Sequence, residues 1–199
     1  MVIAVAGSDS AEKPLQKKEN GFVEGCYEWT EAFITALIAV MVLFGFLLRV
    51  NIVVDGNSME PNYYNGYRVL VNCVDRNFTC GSVIVIDSNR MPLNPHCARI
   101  IKRVIAKEGQ TVNVDSSTGC VTVDGKELDE STYIQNGITT RTGNTKFPAT
   151  VPKGCVFVLG DNRTVSEDSR FNAVGMVDKR YIIGKVEFLL NPFRGFHAT

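Results

Sequence analysis

The amino-acid sequence predicts a mainly β protein, in which one transmembrane α-helix precedes a domain built on an antiparallel β-sheet. Two observations lead to this prediction. Residues 32–48 (AFITALIAVMVLFGFLL) contain no charged side chain, and the chain after them changes to short runs rich in Val, Ile, Tyr and Phe. Because no helical periodicity separates these runs, they predict the strands of an all-β domain. A length of 199 residues is sufficient for one well-buried core.

The apolar run is long enough to anchor the chain in a membrane. At about 1.5 Å per residue, residues 32–48 span roughly 25 Å, slightly less than a hydrocarbon core of about 30 Å. Trp29 before the run and residues 50–54 after it, which are apolar except for Asn51, extend the predicted anchor into the interface. A buried core helix and a cleaved signal peptide are the alternatives. The chain is too small to enclose such a helix, and the run begins too late and is too long for a signal peptide.

The anchor divides the chain into three predicted parts. Residues 1–28 form an N-terminal tail with no regular periodicity, residues 29–50 form a single transmembrane helix, and residues 51–199 form the β domain. Three lysines precede the span, whereas Arg49 and Arg68 follow it. This bias in basic residues favours a cytoplasmic N-terminus and an extracytoplasmic β domain.

Seven segments of the β domain have the composition of strands, and Gly, Asn and Asp separate them. Asp124-Gly125 lies between two such stretches and predicts a hairpin turn. Residues 111–150 are expected to form a smaller inserted β and loop region, because its later part is polar and poor in core-forming residues. The predicted strands are residues 67–74, 82–87, 99–106, 111–114, 120–123, 155–159 and 181–189.

Composition excludes several classes of function. The 21 basic and 21 acidic side chains cancel, so no basic surface is predicted for nucleic acid. His96 and His197 have no metal-site spacing, and His96 is expected to lie in a loop. The six cysteines contain no Cys-x-x-Cys pair, so zinc is not predicted, and no other cofactor is expected. Cys73 and Cys80 flank a strand connection, where either a disulfide or two free thiols is plausible.

Ser58 is the first candidate for chemistry, in the segment GNSMEP at residues 56–61. A serine in a glycine-containing turn can expose its hydroxyl and its backbone N–H together, as a nucleophile requires if its own amide is to stabilise an oxyanion. An ordinary turn that leaves a membrane helix is the structural alternative for this segment.

Lys102 is the second candidate, in the strand RIIKRVIA at residues 99–106. Alternation places Lys102 on one apolar face of the strand and Arg103 on the other, so the strand is expected to be buried on both sides. Burial disfavours the charged form of a lysine, and a neutral amine is a competent general base toward serine. Arg103 cannot lose its charge and therefore needs a carboxylate. The alternative is a pair of basic residues on a solvated strand edge.

A third polar segment, GDNRTVSEDSR at residues 160–170, follows a predicted buried strand. Its carboxylates, guanidiniums and hydroxyls can build a fixed hydrogen-bonded network around a site, although an ordinary turn would have a similar composition. Asp161 is a candidate partner for Arg103, and Asp168 is a candidate partner for Arg170.

Together the three segments resemble the motifs of the bacterial type I signal peptidases, particularly the short Gram-positive form. The family's Ser-Met-x-Pro motif matches residues 58–61, its Lys-Arg motif matches residues 102–103, and its Gly-Asp-Asn-Arg-x-x-Ser-x-Asp-Ser-Arg motif matches residues 160–170. The order of the motifs and the preceding anchor agree as well. The resemblance implies a signal-peptidase-like antiparallel β-sheet catalytic domain.

The resemblance also implies roles for individual residues. Ser58 would be the nucleophile, Lys102 the general base, and Ser166 would orient the lysine amine. Gly56 stands where Gram-negative members carry a serine that contributes to the oxyanion hole, so only the Ser58 N–H is identified as a donor. The residues expected to support the site are Arg103, Asp161, Arg163, Asp168 and Arg170; those expected to contact substrate are Val54, Met59 and Ile101.

Three segments depart from the family pattern. The family's Arg-Gly-Asp is Cys80-Gly81-Ser82 here, the threonine after the motif proline is Asn62, and the Gly-Asp after Lys-Arg is Gly109-Gln110. None of these changes removes a catalytic group, but each affects a turn.

The function implied by the resemblance is removal of signal peptides from secretory preproteins by a single-pass enzyme of the cell membrane. Its partners would be preproteins and the lipid bilayer. A self-cleaving serine–lysine repressor is one alternative class, but the apolar span occupies the place of its DNA-binding domain. An inactive relative that acts as an assembly factor is another alternative, and the presence of both Ser58 and Lys102 argues against it.

Overall fold

The structure is a computed structural model, and it describes residues 15–47, 49–91, 99–134, 139, 141–191 and 195–198. Residues 1–14 of the predicted tail and His96 lie outside the described residues. The chain divides into two compact units, Met1–Leu47 and Leu48–Thr199.

A single long helix, α1 (Leu15–Leu47), forms the described part of the first unit. The expectation that the whole of residues 1–28 lacks regular structure is therefore wrong for residues 15–28. Pro14 precedes the helix and no proline follows within it, so helix nucleated in the apolar segment can propagate back to Leu15. Its segment Gly25–Leu43 is long and apolar enough to cross a membrane, and none of it is buried inside the structure. That exposure excludes the buried core helix.

The described residues of the second unit form twelve strands. In chain order these are β1 (Arg49–Val53), β2 (Arg68–Asn72), β3 (Val83–Ile86), β4 (Ile100–Lys107), β5 (Thr111–Val114), β6 (Val121–Val123), β7 (Lys126–Glu127), β8 (Ala149–Thr150), β9 (Cys155–Leu159), β10 (Val177–Asp178), β11 (Ile182–Asn191) and β12 (Gly195–Ala198).

The end of the anchor differs from the prediction. The helix ends at Leu47 rather than at residue 50, and β1 pairs antiparallel with β2 instead of extending the anchor. Ile52 and Val54 are buried whereas Asn51 and Val53 are exposed. This alternation has the period of a half-buried strand, which the mainly apolar composition of residues 50–54 does not reveal.

The strands form two antiparallel sheets. The larger has the order β1-β2-β11-β3-β4-β9-β10, with β12 paired to β11. The smaller has the order β7-β6-β5-β8 and lies within residues 111–150. Its hairpin turns at Asp124 and Gly125, which have φ of 53° and 77°, as the Asp-Gly pair predicts. Each of the seven predicted strands is observed, with ends that differ by at most two residues.

Strand β4 contributes to all three clusters of buried side chains in the core. Ile101 packs in the first cluster with Val54 and Met59, Val104 lies in the second, and Ile105 lies in the third. Because β3 and β9 pair with the two edges of β4, residues in the middle of this strand lie deep in the sheet. That position explains how Lys102 comes to be buried.

Candidate active site

Ser58 lies in a loop that is closed at its base and held at its tip. Val54 N–H donates to Tyr67 C=O at 2.7 Å, and Gly66 N–H donates back to Val54 C=O at 2.9 Å. At the tip, Met59 is 1% exposed and its carbonyl accepts hydrogen bonds from two later amides of the turn. Ser58 itself is half-buried, and its backbone N–H has no acceptor among the described residues. The hydroxyl and amide are therefore presented together, as the turn motif predicts.

Lys102 reaches Ser58 from the middle of β4. Its Nζ donates a hydrogen bond to Ser58 Oγ at 2.9 Å, and the residue is only 3% exposed. Ile84, directly opposite on β3, and Val104, two residues further along β4, are fully buried. The solvated strand edge is thereby excluded, and the structure brings together the two residues that the sequence pairs.

The loop after β9 packs against the Ser58 turn through backbone contacts. Asn162 N–H donates to Ser58 C=O at 3.0 Å, and the Asn162 side-chain amide donates to Asn57 C=O at 3.2 Å. At Gly160 a Cβ atom would lie 2.1 Å from Ser166 Oγ and 2.6 Å from the Ser58 carbonyl oxygen. Only a glycine allows the Ser166 side chain and the Ser58 turn to approach this closely.

Ser166 is fully buried beside this glycine, and its hydroxyl has no hydrogen-bond partner among the described residues. The structure therefore does not contain the expected bond from Ser166 to the Lys102 amine, and the orienting role of Ser166 stays a prediction. A buried hydroxyl without a partner costs about 1–3 kcal/mol. Its position next to Gly160 gives the site an unused polar group close to Ser58.

Arg103 and Asp161 form the ion pair that the sequence suggested. Arg103 Nε and Nη2 donate to the two carboxylate oxygens of Asp161 at 2.8 Å and 2.6 Å, and the Asp161 side chain is fully buried. Burial lowers the pKa of the guanidinium, but the hydrogen bonds and the charge of Asp161 outweigh that effect and leave the pKa above its usual value. Asn62 also donates to Asp161, at 2.8 Å. The departure from threonine at this position therefore supplies an additional amide donor.

Asp168 and Arg170 form a second, fully buried pair. Arg170 Nε donates to Asp168 Oδ1 and Nη2 to Oδ2, both at 2.8 Å. Asp168 Oδ2 also accepts the Gly160 N–H at 3.0 Å, while Arg170 donates to Arg163 C=O at 3.0 Å. This pair is suggested by the sequence, and it fixes both ends of the loop that faces Ser58.

Arg163 has partners that the sequence did not indicate. Its Nη1 and Nη2 donate to the two carboxylate oxygens of Glu130 at 2.9 Å and 2.5 Å, and Nη1 also donates to Thr139 Oγ1 at 2.9 Å. Glu130 lies in the inserted region 111–150, between the short strand β7 and the polar later part of that region. Neither hydrophobic periodicity nor a motif marks it, so only the fold reveals this contact.

The three residues expected to contact substrate lie close together in the core. Val54, Met59 and Ile101 are 3%, 1% and 8% exposed and belong to one cluster of buried side chains. The structure shows them as packing residues beside the Ser58 turn, and their role as pocket walls stays a prediction. A cavity of about 540 Å³ lies elsewhere, lined by Tyr63, Arg103 and other residues but by neither member of the Ser58–Lys102 pair.

Two of the departures from the family pattern are neighbours in space. Cys80 Sγ contacts Gln110 Oε1 at 3.6 Å. Cys80 and Cys73 are both free thiols, so the disulfide alternative is not realised. Within the described part of the chain, no cluster of three or more His, Cys, Asp or Glu side chains could hold a metal ion.

A serine hydroxyl in hydrogen-bonding contact with a buried lysine amine is typical of hydrolases in which a lysine takes the place of the usual histidine base. The comparisons with known proteins agree with this class. The profile of the family described as "Signal peptidase, peptidase S26" matches residues 26–191. The chain therefore belongs to the signal peptidase family, and it is a serine endopeptidase.

Individual relatives cover nearly the whole chain. Signal peptidase I of Bacillus licheniformis is 32% identical over 196 residues, which cover 94% of this chain and 98% of that protein. Signal peptidase I T of Bacillus subtilis (strain 168) is 30% identical over 200 residues, covering 96% of both. Signal peptidase IB of Staphylococcus aureus (strain Mu50) is 32% identical, covering 85% of this chain and 93% of that protein. The predicted family and enzyme class are confirmed.

Among solved structures, the chain is similar to a crystal structure of signal peptidase I from Enterococcus faecalis V583. The sequence identity is 28% and the TM-score is 0.41, and the match covers 54% of this chain and 94% of the other.

Proposed function

We propose that this protein removes signal peptides from secretory preproteins, with Ser58 as the nucleophile and Lys102 as the general base. The observation that carries the assignment is the 2.9 Å hydrogen bond between Lys102 Nζ and Ser58 Oγ at a lysine that is 3% exposed. A buried amine is driven toward its neutral form, and in that form it can accept the serine proton.

The reaction follows from these two groups. Neutral Lys102 takes the proton of Ser58 Oγ as the oxygen attacks the scissile carbonyl carbon, and the backbone N–H of Ser58 donates to the resulting oxyanion. The carbon–nitrogen bond then breaks, and the Lys102 ammonium returns its proton to the leaving amine. Lys102 then takes a proton from a water molecule, which attacks the carbonyl carbon of the Ser58 ester. The bond from that carbon to Ser58 Oγ breaks, Lys102 returns the proton to Oγ, and the signal peptide leaves with a free carboxyl group.

The polar groups of the loop after β9 would hold Ser58 and Lys102 in position relative to each other. Asp161 neutralises Arg103, which is the residue next to the base on β4, and Asp168 and Arg170 hold the segment whose Asn162 amide binds the Ser58 carbonyl. Ser166 places its hydroxyl beside that contact, where we propose that it orients the lysine amine. Positioning of this kind is worth orders of magnitude in rate, because a displacement of about 1 Å can cost 10²-fold.

Membrane attachment would bring the enzyme to its substrate. The segment Gly25–Leu43 has the length and composition of a membrane span, and it lies within the residues that match the signal peptidase family, except for Gly25. We propose a cytoplasmic N-terminus and an extracytoplasmic catalytic unit, because the basic residues before the span outnumber those directly after it. Val54, Met59 and Ile101 are the candidates for walls that contact the substrate residues before the cut.

The test is cleavage of a purified preprotein by the full chain in detergent. Wild type should release the signal peptide, and Ser58→Ala should release none while it unfolds at the wild-type temperature. Ser117→Ala is the matched control, because Ser117 is an exposed serine whose hydroxyl bonds only to Asp115 of its own turn. Cleavage by Ser58→Ala at the rate of Ser117→Ala would refute the assignment.

A further inference from the structure

Glu130 connects the smaller sheet to the loop after β9. It is 9% exposed, and Arg163, to which it binds with both carboxylate oxygens, is 3% exposed. A guanidinium buried to this degree requires a counter-charge. Among the described residues Glu130 supplies the only carboxylate within ion-pairing distance of Arg163, whereas Thr139 supplies a neutral hydroxyl. The position of the Arg163 side chain therefore depends on Glu130.

Arg163 in turn holds the peptide at Gly160. Arg163 Nε donates a hydrogen bond to the Gly160 carbonyl at 3.0 Å. The backbone N–H of Gly160 in turn donates to the Asp168 carboxylate, also at 3.0 Å. The backbone of Gly160 is thus fixed from both sides. Because this glycine lies in van der Waals contact with Ser166 and the Ser58 carbonyl, a shift of Arg163 passes directly to the Ser58 turn.

Tyr133 links Glu130 to the Arg103–Asp161 ion pair. Its hydroxyl donates to Glu130 Oε1 at 2.9 Å, its ring lies under the Arg103 guanidinium at 4.4 Å, and its carbonyl accepts from Asn62 at 2.7 Å. Burial, together with the charge of Glu130, raises the pKa of Tyr133 above its usual value, so the phenol stays protonated and keeps donating. Glu130 is therefore connected to two arginines near Ser58 and Lys102: it binds Arg163 directly, and it reaches Arg103 through Tyr133.

We propose that Glu130 is a positioning residue for the Ser58–Lys102 centre, acting through Arg163 and Gly160. The inference rests on the proposed peptidase function and assigns to the smaller sheet a part in catalysis. Glu130 itself touches neither Ser58 nor Lys102. Its effect is therefore on the geometry of the reacting groups, and removing its charge should reduce kcat more than substrate binding.

The experiment compares Glu130→Gln with Glu127→Gln in preprotein cleavage by the full chain. Glu127 is an exposed residue of the same small sheet, and its carboxylate accepts a hydrogen bond from Cys120 Sγ. Glu127→Gln therefore removes a negative charge from this sheet without removing a partner of Arg163. We expect Glu130→Gln to lower kcat per folded molecule by about 10-fold or more while KM changes by less than about 2-fold. Glu127→Gln should keep the wild-type values. Thermal unfolding of each variant gives the folded fraction.

A double substitution tests the route through Arg163. If Glu130 acts only by holding Arg163, then Glu130→Gln should add little to the loss of kcat caused by Arg163→Met, and fully additive losses would overturn the proposed route.

The single variant can overturn the inference as well. A lower melting temperature with unchanged kcat in Glu130→Gln would show that Glu130 has a purely structural role. If Glu130→Gln does not fold, Glu130→Asp keeps the charge but withdraws the carboxylate by one methylene group, so Arg163 must shift to keep its partner and kcat should fall. Wild-type kcat in a folded Glu130→Asp protein would then overturn the positioning role. If the folded wild-type protein does not cleave the preprotein, the peptidase function itself is refuted.

Discussion

Gly160→Ala is the substitution for which the structure gives the clearest expectation. The new Cβ would lie 2.6 Å from the Ser58 carbonyl oxygen, against 3.4 Å or more in ordinary contacts. That carbonyl must therefore retreat by about 0.8 Å, and displacements near 1 Å at a catalytic group can cost about 10²-fold in rate. The Cβ would also lie 2.1 Å from Ser166 Oγ, so Ser166 must move as well. We expect kcat/KM to fall by about 10²-fold.

A matched control separates this effect from loss of stability. Gly184 in β11 is equally crowded, because its Cβ would lie 2.3 Å from Asn72 C=O and 2.8 Å from Val71 Cγ1. Neither Gly160 nor Gly184 has a positive φ, so the two variants share a steric cause. Both should lose about 1–3 kcal/mol of stability, seen as melting temperatures lower by several degrees.

Preprotein cleavage, measured per folded molecule, should distinguish the two variants. Gly184→Ala should retain wild-type kcat/KM, because the atoms nearest its new Cβ belong to Asn72 and Val71, whereas those nearest the Cβ of Gly160→Ala belong to Ser166 and Ser58. A folded Gly160→Ala protein that cleaves within about threefold of wild type would refute the conclusion that the loop after β9 leaves no room for a Cβ atom beside the Ser58 turn.

Three further outcomes follow from the charges of the domain. The rate of preprotein cleavage should rise with pH as Lys102 loses its proton, and a flat profile would argue against a lysine base. Asp161→Asn should lower stability by about 3 kcal/mol or more, since it leaves the partly buried Arg103 without its counter-charge; an unchanged melting temperature would contradict the pairing. The Gly154 N–H and then Lys179 hold the pKa of Glu108 below its usual value. This contribution to stability is present above the usual pKa and is lost as pH falls through the depressed one, so Glu108→Gln should flatten the acid side of a melting-temperature profile.

The parts of the site that the sequence predicts are those in which a residue's chemistry dictates its partner. A strand apolar on both faces leaves Lys102 desolvated, and Arg103 cannot shed its charge, so Asp161 follows as the carboxylate needed nearby. Glu130 could not be predicted in this way. It reaches Arg163 through the arrangement of two sheets, and no local pattern records that contact.

The ends of the anchor show a similar limit. Residues 50, 52 and 53 are apolar like the helix before them, and pairing with β2 makes the segment Arg49–Val53 a strand. The start of the helix at Leu15 depends on propagation from the apolar segment, which hydrophobic periodicity does not reveal. Composition thus predicts that a span exists, whereas backbone hydrogen bonding determines its limits.

The departures from the family pattern also gain a physical account. Cys80 and Gln110 stand at two positions where the family carries an arginine and an aspartate, and they contact each other here. Two neutral side chains are thus in contact at positions where the resemblance implies opposite charges. Neither position touches Ser58 or Lys102, and the Ser58–Lys102 hydrogen bond forms in this chain with both replacements present.

The most direct test of the serine–lysine centre is preprotein cleavage by Lys102→Arg beside Lys107→Arg. Both substitutions replace a lysine of β4 by arginine, but Lys107 is exposed at the end of the strand. Because arginine cannot serve as a neutral base, folded Lys102→Arg should release no signal peptide, whereas Lys107→Arg should cleave at the wild-type rate. Cleavage by Lys102→Arg at a rate near that of Lys107→Arg would contradict the assignment of Lys102 as the base.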